Sequence, residues 1–300
     1  ILNDPSIDAV FLCTPNHRNK ALTEATLKAG KHAFCEKPPA FNATEVESII
    51  EVERQSGRKL MYGFNHRQHA AVVTMHDLIR EGSYGRVLWM RGRYGKSVDA
   101  GYLTGWRAAP ELAGGGILLD QGIHMLDLML HIGAQPFDEV HALVSNLYWK
   151  TPGIEDNVFA IMRNRASGLC ASLHSTMTQW RHLFSLEVFL ERGYMVVNGL
   201  KTSSGTYGDE VLTIAKNRST APAATWDDEE RLHFKVDVSW EREVVQFLDS
   251  VLQGAPVTGG TSAQALEVME LIDRIYAAER HEAPELFDDI RTVPPAGGRT

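Results

Sequence analysis

Four titratable side chains, Asp120, His124, Asp127 and His131, recur every three or four residues in an otherwise apolar segment, GGGILLDQGIHMLDLMLHIG. At about 100° per residue they share one narrow helical face, while Leu118, Leu119, Ile123, Met125, Leu126, Leu128, Met129 and Leu130 cover the remainder. A helix apolar on most sides is a buried helix, and buried carboxylates and imidazoles are costly unless paired or solvated by a site. Acid–base chemistry is one explanation, with His124 exchanging a proton and Asp120, one turn earlier, orienting its ring. Structural pairing is another, natural for Asp127 with His131, the latter near the negative end of the helix. The spacing is not that of a two-histidine zinc helix and no cysteine is near, so no metal is expected.

A second segment, HAFCEKPPAFNATEVESI, places Glu36 and Lys37 directly against Pro38 and Pro39. The prolines remove two backbone donors and fix φ, and the residue before a proline is extended, so Lys37 belongs on a stiff turn. Asn42 with Glu45 three residues on resembles a capping box that opens the next helix. The alternative for Glu36–Lys37 is a solvated loop pair.

These residues need elements to position them. Ala9–Cys13, Lys31–Cys35 and Lys59–Phe64 read as short buried strands, alternating with helices that run up to Gly30 and over Asn42–Ser56. That rhythm predicts a doubly wound parallel sheet, with ligands at the carboxyl ends of its strands and Lys37 at that edge. Beyond about residue 65 the pattern changes to a helix through Arg80, an apolar helix over Ile117–His131, and strand-like runs such as EVHALVSNLYW, NVFAIMRN, GLCASLHSTMTQW, LFSLEVFLE and GYMVVNG, which predict an antiparallel sheet. Helices around Trp240–Leu252 and Thr261–Arg280 follow. WDDEERLHF reads as a solvated acidic loop, and RTVPPAGGRT as a disordered tail or an arm on a neighbour. Two domains are expected, residues 1–65 and 66–300.

The 300 residues carry a formal net charge of −8, with 44% hydrophobic and 23% charged side chains. That balance argues against a nucleic-acid or anionic-membrane partner and for a small molecule. No apolar run is long enough for a membrane span. Cys13, Cys35 and Cys170 form no CxxC pair, so a reducing, cytoplasmic setting is expected. The chain opens on ILNDPSIDAVFLC, which reads as the middle of an α/β domain; a leader upstream would not be visible. His66, His69 and His76 read as helix-surface residues, and the six tryptophans as core and interface anchors. Gly114–Gly116 is not a dinucleotide fingerprint, because Leu119 stands where its last glycine would fall.

TPNHRNKALTEATLKAGKHAFCEKP, then GFNHR, GWR and GGGILLDQGIHMLDL, resemble in order the oxidoreductase family of glucose–fructose oxidoreductase and inositol dehydrogenase (Gfo/Idh/MocA). The resemblance implies a Rossmann domain binding NAD or NADP, here its C-terminal part, followed by an α+β domain with an open, mainly antiparallel sheet that commonly forms the oligomer interface. It implies Lys37 as catalytic lysine, Asp120 and His124 completing the set, and His124 as proton acceptor. Thr14, Pro15, Asn16 and His17 match the loop beneath the cofactor, flanked by Glu36 and Pro38. Asn65, Arg67, Trp106 and Arg107 match positions lining nicotinamide and substrate, with Lys96 also expected at the substrate. Asn19 stands where many relatives carry a histidine. The family's first strand, glycine-rich turn and ribose-reading acidic residue, about 60 residues in all, do not appear.

The expected activity is oxidation of a secondary alcohol on a sugar, inositol or nucleotide-linked sugar by hydride transfer, in a homodimer or homotetramer. Two alternatives share the fold: a glycosidase that oxidises its sugar transiently, and a non-catalytic sensor or regulator.

Overall fold

The structure, a computed structural model, describes residues 1–216 and 225–282; RTVPPAGGRT lies outside them. Three short apolar strands, β1 (Ala9–Leu12), β2 (His32–Glu36) and β3 (Leu60–Gly63), pair in parallel in that order. Parallel neighbours need crossovers, which α1 (Asn16–Lys28) and α2 (Ala43–Ser56) supply. Asn42 caps α2, its Oδ1 accepting the Glu45 N–H at 2.9 Å. The return half of the expected capping box is displaced, because the Glu45 carboxylate accepts from Phe41 N–H instead.

Then come α3 (Ala70–Arg80), β4 (Val87–Ser97), the short α4 (Pro110–Ala113) and α5 (Ile123–Gly133). Strands β5 (Glu139–Ser145), β6 (Asn157–Arg163), β7 (Cys170–Thr176), β8 (Thr178–Leu190), β9 (Gly193–Asn198), β10 (Glu210–Lys216) and β11 (Glu230–Phe234) join β4 in an eight-stranded sheet, ordered β11-β10-β9-β8-β4-β7-β6-β5. It is mainly antiparallel; β4 and β7 pair in parallel, with α4, α5, β5 and β6 making the long crossover between them. The predicted acidic loop WDDEERLHF is instead a short 3-10 turn, Trp226–Asp228, followed by β11. Its alternation, read as charge, was hiding an edge strand. GLCASLHSTMTQW, read as one strand-like run, is strand on both sides of Met177.

The last helices, α6 (Ser239–Leu252) and α7 (Ser262–Glu282), return to the first sheet. Phe247 of α6 packs edge-on against Phe34 and Phe11, and α7 lies along α2. A large apolar core runs through both sheets and takes in α5 from Ile123 to Leu130, while Phe34, Met61 and Phe247 form a small second cluster. Trp180, Trp226 and Trp240 lie on the surface, so only part of the tryptophan set anchors a core.

The apolar segment does not enter α5 directly. Leu118–Gly122 form a π turn, a widened turn that interrupts the regular helical ladder. Beneath it Glu155 is buried, accepting Gly116 N–H at 2.7 Å, Leu118 N–H at 3.0 Å and the Tyr276 hydroxyl at 2.8 Å. Gly116 is required by close approach, since a Cβ there would stand 2.1 Å from the Glu155 carbonyl oxygen. Gly116→Ala should therefore lower stability by about 1–3 kcal/mol, read as a lower urea midpoint at unchanged m-value. A wild-type midpoint would show that this turn yields freely.

Candidate active site

Lys37 stands at the carboxyl end of β2, and its bond to Pro38 is cis. Asn19 of α1 fixes the turn: its amide donates to the Glu36 and Pro38 carbonyls at 3.2 and 2.8 Å, while its Oδ1 accepts from the Thr14 hydroxyl at 2.9 Å. Sequence reasoning missed this role, because Asn19 and the carbonyls it serves lie 17 and 19 residues apart. Held this way, Lys37 donates to the Asp120 backbone carbonyl at 2.5 Å and lies 3.7 Å from its carboxylate. That carbonyl lies within the π turn, Leu118–Gly122. Burial lowers the Lys37 pKa, and Asp120 and Glu36 draw it part of the way back.

Asp120 is the hub. Lys96 approaches its carboxylate at 3.2 Å, Arg107 at 3.4 Å and the Tyr102 hydroxyl at 3.1 Å. Burial raises its pKa, but Lys37, Lys96 and Arg107 together outweigh that and keep the group ionised. Lys96 also lies over the Tyr102 ring at 4.7 Å, and Arg107 over the Trp106 ring at 4.3 Å. Burial and then the neighbouring Asp120 raise the Tyr102 pKa, so its phenol stays protonated and donates. Nothing in the spacing of KSVDAGYLTGWR marked Tyr102.

His124 is buried, and its Nδ1 has no hydrogen-bond partner among the described residues. It makes no bond to Asp120, contrary to the expectation that Asp120 orients it. Its ring stacks on His66 at 3.8 Å and 18°, and His66 is fixed in turn by Asn65 Oδ1 at 3.0 Å and the Tyr94 hydroxyl at 2.8 Å. Burial, with Lys37 and His69 nearby, holds the His124 pKa well below the usual histidine value, so the ring is neutral. His66 and His69 are interior residues, not the surface ones expected; His69 bonds Glu210 at 2.8 Å. The other half of the polar stripe is divided differently from the expected Asp127–His131 pair. Asp127 receives Arg67 at 2.5 and 2.8 Å, and His131 stacks on His76 at 4.2 Å.

The remaining candidates fall into two groups. Thr14, Pro15, Asn16 and His17 form the turn from β1 into α1, and the Asn16 amide donates to the Ala113 carbonyl at 2.8 Å, tying this turn to α4. His17 Nδ1 is buried without a partner. With Pro38, Lys37 and the Trp106–Arg107 pair they border the site. Asn65, Arg67 and Glu36 lie behind it: Asn65 also reaches Ser239 at 3.4 Å, Arg67 holds Asp127 and Gln264, and the Glu36 carboxylate lies against Gly63. Glu243 of α6 was not foreseen; it is buried, one of its carboxyl oxygens lacks a partner, and burial, then Glu36 and Asp127, push its pKa up to about 9. Among the described residues no group of three or more His, Cys, Asp or Glu is placed to hold a metal, and no helix is long and apolar enough to cross a membrane.

Residues 1–64 match the model of the oxidoreductase family with an NAD-binding Rossmann fold, and residues 72–196 match that of the GFO/IDH/MocA C-terminal domain. The chain belongs to this family of oxidoreductases, and its first sheet is the NAD-binding Rossmann type. It is 30% identical over 224 residues to 1,5-anhydro-D-fructose reductase of Ensifer adhaerens, covering 74% of this chain and 66% of the relative. To myo-inositol 2-dehydrogenase of Thermotoga maritima it is 27% identical over 216 residues, 70% of this chain and 62% of the relative. The chain thus spans just under two thirds of the length of these curated relatives. A solved levoglucosan dehydrogenase in complex with NADH and levoglucosan superposes with a TM-score of 0.81 at 23% identity, over 94% of this chain and 80% of that one, and establishes the fold.

The Arg67–Asp127 pair is nearly solvent-free, at 4% and 1% side-chain exposure. Arg67→Met would leave a buried carboxylate without its cation, a loss of about 3–5 kcal/mol. Thermal denaturation should show a marked fall in Tm; an unchanged Tm would contradict the pairing.

Proposed function

We propose that this chain forms the nicotinamide and substrate side of an NAD- or NADP-dependent dehydrogenase acting on a secondary alcohol of a sugar, inositol or nucleotide-linked sugar. The observation carrying this reading is the meeting of Lys37, from the parallel sheet, with Asp120 from the apolar helix, close enough that its charge also acts on the neutral His124, whose Nδ1 is buried without a hydrogen-bond partner among the described residues. The site also fits the cofactor, because His17 and His124 each leave a buried ring nitrogen unsatisfied and the Lys37 ammonium, 14% exposed, stands just past the carboxyl end of β2.

Thr14, Pro15, Asn16, His17, Pro38 and Trp106 would hold the cofactor, with Glu36, Asn65 and Arg67 supporting them from behind. When bound, the nicotinamide supplies the hydride acceptor for the carbinol carbon. His124, neutral at working pH, takes the hydroxyl proton. Lys37 stabilises the negative charge that develops on the oxygen as that proton leaves, and Asp120 holds the ammonium in place. Stacking on His66 sets the plane of the accepting ring.

Lys37→Ala and His124→Ala should each lower turnover by orders of magnitude, with NADH still bound by fluorescence titration; near-normal turnover in both would sink the assignment. Product formed without net change in nicotinamide absorbance would instead favour transient oxidation. The histidine pKa sets the pH profile. A base whose pKa lies well below 6.5 stays deprotonated as pH falls from about 8 to 6.5. Oxidation kcat/KM should therefore not drop through that window on account of His124.

We also propose a homodimer or homotetramer formed through the outer face of the large sheet. Leu143, Phe159 and Ile161 are 59%, 48% and 64% exposed there, on the adjacent strands β5 and β6, with the stacked Trp89–Phe189 pair of β4 and β8 on the far side of β7. Light scattering should give a multiple of the chain mass, and Phe159→Asp with Ile161→Asp should yield monomer; a wild-type monomer at all concentrations would refute this.

A further inference from the structure

The charges around Asp120 do not balance. Three cations, Lys37, Lys96 and Arg107, converge on its single carboxylate, and the Lys37 and Lys96 side chains are only 14% and 20% exposed. The chain as a whole carries −8, so this concentration of positive charge is local. Three further acids on the surrounding elements are engaged elsewhere, the first being Asp99, which accepts the Tyr102 N–H at 3.1 Å. Glu36 lies against Gly63, and Glu155 is consumed beneath the glycine turn by two backbone N–H groups and Tyr276. Even with Glu36 counted against Lys37, two cations face Asp120. The oxidised nicotinamide ring would add a further positive charge. Were Arg107 committed to the cofactor's phosphates, Lys37 would balance Asp120 and Lys96 would still lack a counter-ion.

Half-buried cations without counter-charge are unfavourable, and a ligand anion relieves them. Lys96 is placed to receive one: it stands at the end of β4, at the Asp120 carboxyl oxygen opposite the one Lys37 approaches, with its ammonium 4.7 Å from the centre of the Tyr102 ring. Arg107, 43% exposed and stacked on Trp106, offers a planar fork beside it. We propose that the substrate carries an anionic group, a carboxylate or a phosphate, held by Lys96 with Arg107, while its secondary hydroxyl lies at Lys37 and His124. This rests on the dehydrogenase reading above and narrows it from polyols in general to acidic sugars.

Matched pairs test it on the wild-type chain with NAD and NADP. D-glucuronate against D-glucose and D-gluconate against D-glucitol probe a carboxylate; glucose 6-phosphate against glucose probes a phosphate. Nicotinamide reduction is followed, and calorimetry measures binding of the same compounds independently of turnover. An acidic member should be preferred by about tenfold or more in kcat/KM, with KM rising as salt goes from about 0.05 to 0.5 M. Lys96→Met should cut the acid-over-neutral preference by about 10- to 100-fold, the value of a charge-assisted bond. Which acid is preferred separates carboxylate from phosphate. Equal or better turnover of the neutral members overturns this inference alone and leaves the dehydrogenase standing. If no compound is turned over, the dehydrogenase reading fails, and calorimetry still decides the anion site: binding of an acid, weakened by Lys96→Met, supports it, and no acid binding overturns it.

Discussion

The site depends on one contact, the Lys37 ammonium at the Asp120 carbonyl and carboxylate. It joins a turn of the parallel sheet to a helix laid on the antiparallel one, so the two halves of the candidate site are brought together by the tertiary fold and by no local sequence. A lysine has four rotatable bonds, and holding its head at fixed geometry requires a rigid base and a rigid partner. The base is the Glu36–Pro38 turn, stapled by Asn19. The partner is a π turn clamped from below by Glu155.

The same contact sets the protonation states on which acid–base work depends. Lys37, Lys96 and Arg107 keep Asp120 ionised, and Lys37 helps hold His124 neutral. Ionised Asp120 and neutral His124 thus lie one helical turn apart without hydrogen-bonding each other. His66 fills the orienting role that sequence assigned to Asp120, through ring stacking. The rest of the polar stripe is structural: Arg67 neutralises Asp127, and this buried pair anchors the start of the second half to α5.

Local signals carried much of this. Strand–helix alternation, the proline pair and the Asn42 cap foretold the parallel sheet and the position of Lys37, since each depends on nearest neighbours. The polar stripe identified α5 as buried because a period of 3.6 residues is visible in one segment. Pairings across the fold were not legible. Asp127 finds Arg67, 60 residues away, and Glu155 finds Gly116, 39 residues away. Tyr102 and Asn19 lacked periodicity of any kind. β11 was hidden because an edge strand with charged outward residues reads like a loop.

The most direct measurement is the titration of the Lys37 ammonium itself by NMR of isotope-labelled lysine methylene groups, assigned with Lys37→Arg. Burial at Asp120 predicts a pKa below the ordinary 10.5, and a further fall in Asp120→Asn, where the carboxylate that sustains the charge is gone. A Lys37 titrating at or above the ordinary value, and unmoved by Asp120→Asn, would show that the ammonium is solvated and that the central contact does not exist.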